Sequence, residues 1–155
     1  MSTAAVSDTN RRQTTEEHMK SFVLAEEERW NPERHVEHIL GDTQDGDYTI
    51  ACWEPGQISP HHSHPECTEI YFCLSGRGIM NIPGRTVEIV PGAFVVHPPG
   101  ELHEFVNGDV RTVLFRVRYG GAKTFRTKEW RGNGDWKPTA EDTDYFNKFP
   151  QGEVF

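Results

Sequence analysis

From Phe22 to Tyr119 the chain is a series of short runs in which Val, Ile, Phe and Tyr alternate with polar residues, interrupted about every ten residues by Gly, Pro, Asn or Asp. The runs read SFVLA, HVEHIL, YTIACWE, EIYFCL, GIMNI, TVEIV, AFVVHP, HEFVN and RTVLFRVRY. A period of two places successive side chains on opposite faces of a strand. The pattern therefore predicts an all-β fold, a sandwich or barrel, rather than a parallel sheet with crossover helices. LGDTQDGDY, IPGR and VNGDV supply the Gly, Asp, Asn and Pro that turns between such strands need.

The two flanks differ from this barrel region, taken as residues 21–119. Residues 1–20 form a polar arm without period, except that Thr14 and Glu17 are spaced as a capping box and predict a short helix in TTEEHMK. Residues 120–155 lose the alternation but carry Trp130, Trp136, Tyr145, Phe146 and Phe149. A solvated tail rarely holds so many aromatic rings, so this segment is expected to pack on the barrel or on a neighbouring subunit.

Length and charge narrow the function. The chain has 155 residues, enough for one core, and a net charge of -8. That balance offers no basic stripe for phosphates, which argues against nucleic acid and anionic membrane as partners. The N-terminus lacks the apolar segment of a signal peptide and no run is long enough to span a bilayer, so the sequence reads as soluble and cytoplasmic. Cys52, Cys67 and Cys73 are odd in number and show no CxxC spacing, the usage of reduced thiols.

The candidate chemistry lies in PHHSHPECTEIYF, residues 60–72. His62 and His64, two apart on an extended segment, point the same way, and Glu69 opens the next strand close to them. Pro98, Pro99 and Gly100 form a stiff turn that starts His103 on a strand able to face this cluster. His61 is expected to point away into solvent, Glu66 to be a rim charge, and Cys67 to be a thiol near the site. His18, His35 and His38 read as surface or hydrogen-bonded core residues.

GQISPHHSHPECTEIYFCLSG and GAFVVHPPGELHEFVN resemble the two signature motifs of the cupin superfamily. The resemblance implies a small double-sheet jelly-roll barrel and a metal held by His62, His64, Glu69 and His103. It also implies a homodimer. Gly92-Ala93 and His97 depart from the family pattern, which more often has Gly-Asp and an aliphatic residue there.

Three imidazoles and a carboxylate suit Fe(II), Zn, Mn, Ni or Co, and four ligands on a six-coordinate ion leave two open positions. Counting by twos places Tyr71 and Cys73 inward from Glu69, with Ile70, Phe72 and Leu74 outward; Phe105 and Asn107 point inward from His103. Alignment to the cupin pattern adds Met80, Ile82, Phe94 and Val96 to the cavity lining. Tyr71 is either a catalytic donor or acid-base group, or a core aromatic. Arg116 and Arg118 share a face; an inward Arg116 would anchor a carboxylate, an outward one would pair with acids such as Glu88. Trp53, Trp130 and Trp136 are candidates for the barrel mouth or for packing.

The leading expectation is an Fe(II) dioxygenase-type enzyme acting on a small organic molecule. A non-redox isomerase, lyase or cyclase and a non-catalytic ligand-binding module stand as alternatives.

Overall fold

The computed structural model describes residues 18–151. Residues 1–17 of the predicted polar arm, including the first four of TTEEHMK, lie outside the described part, and His18–Lys20 carry no helix. Ten strands and one helix follow: β1 (Val36–Thr43), β2 (Gly46–Trp53), β3 (His61–Ser63), β4 (Cys67–Ser75), β5 (Gly78–Ile82), β6 (Arg85–Ile89), β7 (Phe94–His97), β8 (Glu104–Asn107), β9 (Thr112–Gly120), β10 (Arg126–Glu129) and α1 (Ala140–Lys148). No helix among the described residues is long and apolar enough to cross a membrane.

One sheet has the order β1-β2-β9-β4-β7, and every pair in it is antiparallel. The opposing layer consists of β6-β5-β8 and β10-β3, joined by a bridge between His62 and His103. The two layers close over a core of Ala51, Trp53, Tyr71, Cys73, Met80, Ile89, Phe105 and Leu114. Removing a side chain the size of Leu114 or Met80 from water contributes about 2 kcal/mol by apolar area. Gly76, in the loop after β4, has φ +85°, and a Cβ there would lie 2.4 Å from the Arg111 carbonyl, so only glycine fits.

The inner face of the large sheet is divided along its strands. Toward one end Ala51, Cys73 and Leu114 join the apolar core; toward the other Asp47, Thr49, Glu69 and Arg116 are buried polar groups. Cross-strand register sets this boundary, with Cys73 opposite Leu114, Tyr71 opposite Arg116 and Glu69 opposite Arg118. The apolar layer holds the barrel together, and the polar layer becomes the floor of a site.

Several expectations change here. SFVLA is not a strand: a 3₁₀ turn spans Leu24–Glu27, and Leu24 packs with Trp30, Leu40 and Leu74 over Ile50, Cys52 and Val113 on the outer face of the sheet. Phe94 and Val96 do not line the cavity; they are 61% and 50% exposed. Directly paired residues share a face, and Phe94 is paired with Phe72 and Val96 with Ile70, both outward from β4. Val95 and His97 take the inward positions instead. Cys73, Met80 and Phe105 point inward but fill the core beneath the cavity, while half-buried Ile82 lines a separate depression with Arg85 and His97. The buried Asn107 side chain donates to the carbonyls of Glu54 and Val110, each at 2.9 Å, and so ties loops together.

The C-terminal segment adds structure that alternation did not reveal. β10 pairs with β3 and extends the second layer. Asp142 explains why the segment stays there: its carboxylate accepts from the Thr127 backbone at 3.1 Å and closes a capping box with Thr139 at the start of α1. One buried side chain thus fixes both the helix and the strand.

Candidate metal centre

Four side chains from three parts of the chain converge: His62, His64, Glu69 and His103 offer donor atoms that all lie within 4.8 Å of one another. His62 is on β3, His64 follows it, Glu69 lies on β4 and His103 immediately precedes β8. Backbone bonds His62 N–H to His103 carbonyl (3.0 Å) and His103 N–H to His62 carbonyl (2.8 Å) bring two of the rings together. Gly100, at φ +84°, donates its N–H to the His64 carbonyl at 2.8 Å and docks the Pro98–Gly100 turn beside the same cluster.

Each imidazole is oriented from behind. Nδ1 of His62 faces the Pro60 carbonyl at 2.7 Å, that of His64 the Thr124 carbonyl at 3.2 Å, and that of His103 the Glu101 carbonyl at 3.0 Å. A carbonyl only accepts, so Nδ1 carries a proton and Nε2 is the nitrogen turned inward, the atom that would ligate a metal once it carries none. Glu69 sits between them, 2.8 Å from His103 Nε2 and 2.9 Å from His64 Nε2.

This donor set fits a cation. Glu69 Oε2 and His64 Nε2 are buried and adjacent, yet their geometry makes no hydrogen bond. Two unsatisfied buried polar atoms side by side are costly, and a divalent ion would satisfy both. Burial alone would raise the Glu69 pKa, but the hydrogen bond from His103 and the neighbouring His64 hold it well below the carboxylate range. Burial, then the charges of His103 and His64, lower His62 to about 3. With a divalent ion in place of the protons shared around Glu69, the set would be one anionic oxygen and three imidazole nitrogens, a form that ligates first-row divalent metals.

The centre opens on a cavity of about 340 Å³. Its wall includes Tyr71 and Arg116, Trp130 and Trp136, which the sequence offered as candidates for the barrel mouth, and residues it did not bring to the site: His35 and Glu37 from the region of β1, and Phe125 and Thr127 from the C-terminal segment. Arg116 points inward, 3% exposed, but its guanidinium is committed: it donates to Glu37 Oε1 at 2.7 Å and to Thr49 Oγ1 at 3.2 Å, and its Nε lies 4.0 Å from Glu69 Oε2. It is a strut between two carboxylates rather than a free anchor. Arg118 is likewise held, its Nε donating to Asp47 at 3.1 Å. Burial, and then the charge of Glu69, push the Tyr71 hydroxyl well above its ordinary pKa, so it faces the cavity as a donor that keeps its proton.

Three further residues sit differently from the sequence reading. His61 is buried rather than solvated, 3.5 Å from Glu129 of β10, because the strand that covers it comes from the distant tail. Cys67 is buried, not exposed, and its Sγ donates to the Ala122 carbonyl at 3.1 Å. His97 stacks on His103 with ring centroids 3.9 Å apart and 10° between planes, and its Nδ1 donates to Glu101 at 2.8 Å. Burial lowers its pKa to about 2, so it is a neutral plate behind a proposed ligand. No local signal marks His35 or Glu37, since only the register of β1 against β2 brings Glu37 opposite the inward-facing Ala51.

Fold and site together define a double-sheet barrel with a His/Glu centre at one end. The cupin-domain family model matches residues 49–117 of the 155. Solved structures agree on the fold. An uncharacterised double-stranded β-helix protein from Klebsiella pneumoniae superposes with a TM-score of 0.67 at 21% identity, over 72% of this chain and 99% of that one. Oxalate oxidase in complex with glycolate gives 0.56 at 19% identity, over 63% and 57%, and the DMSP lyase DddQ of Ruegeria pomeroyi gives 0.57 at 24% identity, over 64% and 54%. A search of curated protein sequences finds no match.

Proposed function

We propose that this chain is a metal-dependent enzyme that converts a small organic molecule in the barrel cavity, with oxygen-dependent chemistry at Fe(II) as the leading class. The observation that carries the reading is the set of four donors within 4.8 Å, three of them imidazoles oriented by backbone carbonyls, opening on an aromatic-walled cavity. A divalent iron there would supply two free positions at which a substrate and oxygen meet. Tyr71 donates a hydrogen bond to the bound molecule, the Arg116–Glu37 pair fixes Glu69 from behind, and the Trp-lined wall excludes water. The fold's named neighbours include an oxidase and a lyase, and the metal reading for this chain rests on the residues above.

Oxygen chemistry is preferred because Glu37, a carboxylate of the cavity wall, is already bound to Arg116 at 2.7 Å, which leaves few free proton acceptors there. Burial, which raises Glu37, is outweighed by His35 and Arg116, and its pKa falls to about 2; Tyr71 keeps its proton. A non-redox lyase or isomerase reading rests on His35, an imidazole in the cavity wall 3.7 Å from Glu37, with Zn, Mn, Ni or Co in place of iron. The test is metal analysis of protein purified without oxygen, followed by oxygen uptake with the turned-over substrate. Iron with oxygen uptake upholds the first reading. Anaerobic turnover by zinc protein, lost in His35→Gln, replaces it with the second.

The homodimer belongs to the same proposal. Phe94 and Val96 stand exposed on the edge strand β7, beside the outward Phe72 and Ile70 of β4. An apolar sheet face next to an open edge is a surface that a second copy would cover.

A further inference from the structure

The cavity wall is more specific than a merely apolar one. Trp53 is buried and lies flat on His35, ring centroids 4.0 Å apart with 4° between planes, so its orientation is fixed. Trp130 is tied by its Nε1–H to the Ile58 carbonyl at 2.9 Å. Phe125 leans edge-on toward the rings of His62 and His64, 6.3 Å from each, and Trp136 completes the lining. Trp53 and Trp130, held in this way, form a preorganised part of the wall whose occupant pays little to order them. Three of the four come from beyond residue 117, the last residue matched by the cupin-domain model.

Aromatic walls accept either a cation or another planar π system, and local charge decides between them. The cavity arginines are neutralised in pairs, Arg116 by Glu37 and Arg118 by Asp47. What remains is a divalent ion against the single carboxylate of Glu69, a net positive centre. At such short range a like charge costs a cationic ligand more than a cation–π contact returns, whereas a planar ligand with an acidic group gains the attraction to the ion at that end and stacks its ring on the wall at the other.

On the reading of a metal-dependent site given above, we infer that the substrate is a small aromatic or conjugated planar anion, a carboxylate or phenolate, with its acidic end at the metal and its ring on the Trp53 and tail-aromatic wall. The volume of about 340 Å³ lies at the small end of ligand pockets and suits one substituted ring. Specificity then lies mainly in the C-terminal segment, while the barrel supplies the metal.

The full chain, loaded with zinc under anaerobic conditions, is titrated with benzoate, cyclohexanecarboxylate, benzamide and benzylammonium, with tryptophan fluorescence and calorimetry as readouts. Benzoate is expected to bind at least tenfold more tightly than each of the others, and chelation of the zinc to abolish that binding. Trp136→Leu and Phe125→Leu, made separately, are expected to narrow the gap between benzoate and its saturated counterpart while zinc stoichiometry stays whole. Equal affinity for cyclohexanecarboxylate, or tighter binding of benzylammonium, with zinc in place overturns this inference alone. Failure to retain zinc at all overturns the metal-dependent function, and the inference with it.

Discussion

His62 and His103 face each other across β3 and the start of β8, locked by two reciprocal backbone hydrogen bonds and with their rings 4.4 Å apart. A bridge that ties β3 to the start of β8 is thus also the place where two proposed ligands meet. Barrel closure and the metal centre share the same residues.

The assignment of ligands predicts a contrast between neighbours. His103→Ala is expected to reduce bound metal to about a tenth of the wild-type level or less, whereas His61→Ala, whose ring faces Glu129, keeps full stoichiometry. Metal analysis of the two proteins decides it; equal loss in both would remove His103 from the set.

Metal binding should also stabilise the fold, because the unfolded chain does not preserve the cluster. With free metal at a hundredfold excess over Kd the gain is about 2.7 kcal/mol. For a chain of this size that raises Tm by roughly 5–10 °C, reversed by a chelator. Thermal unfolding with and without metal measures it, and an unchanged Tm in protein shown to hold metal would contradict the coupling.

Glu37 gives a pH signature away from the ligands. Its pKa falls from 4.5 to about 2, so the folded state favours its charged form and the stabilisation is fully present above the unfolded value. It is lost as pH falls from about 4.5 toward 2. Because the side chain is 39% exposed, solvent screening limits the effect to about 1 kcal/mol. Glu37→Gln is expected to flatten the acid limb of stability against pH relative to wild type; parallel curves would show that the His35 and Arg116 partners of Glu37 contribute nothing.

The tail is expected to matter to a metal it never touches with a side chain. Asp142→Ala removes the capping box and the bond to Thr127, costing about 1–2 kcal/mol. It also loosens the segment whose Thr124 carbonyl holds His64, so metal affinity falls about tenfold. Equilibrium metal titration of Asp142→Ala is the measurement, and unchanged affinity would separate the tail from the centre.

Association is tested at the apolar edge. Phe94→Glu is expected to shift the protein from dimer to monomer in light scattering while leaving the fold intact, since Phe94 is 61% exposed. A monomeric wild type would dismiss the interface.

How far the sequence could be read depended on the range of the interaction involved. The alternation in EIYFCL placed Glu69, Tyr71 and Cys73 on one face because pleating is local, and the structure has all three buried. Phe94 and Val96 were placed on the wrong face because their orientation is set by pairing with Phe72 and Ile70, more than twenty residues away. The fate of Arg116 needed three partners, Glu37, Thr49 and Glu69, that come from three other strands. His61 and Cys67 were read as accessible because the segment that covers them, residues 121–129, shows no strand pattern of its own.

The sequence by itself determined an all-β cupin barrel and the residues able to make a metal centre, because strand period, turn chemistry and ligand type act within a few residues. Only the tertiary structure decided what surrounds that centre. The Arg116 strut, the His97 plate, the Thr124 carbonyl behind His64 and the aromatic wall arise where strands distant in sequence become neighbours. Cross-strand register and the docking of the C-terminal segment are cooperative properties of the closed barrel, and no short stretch of the chain carries them.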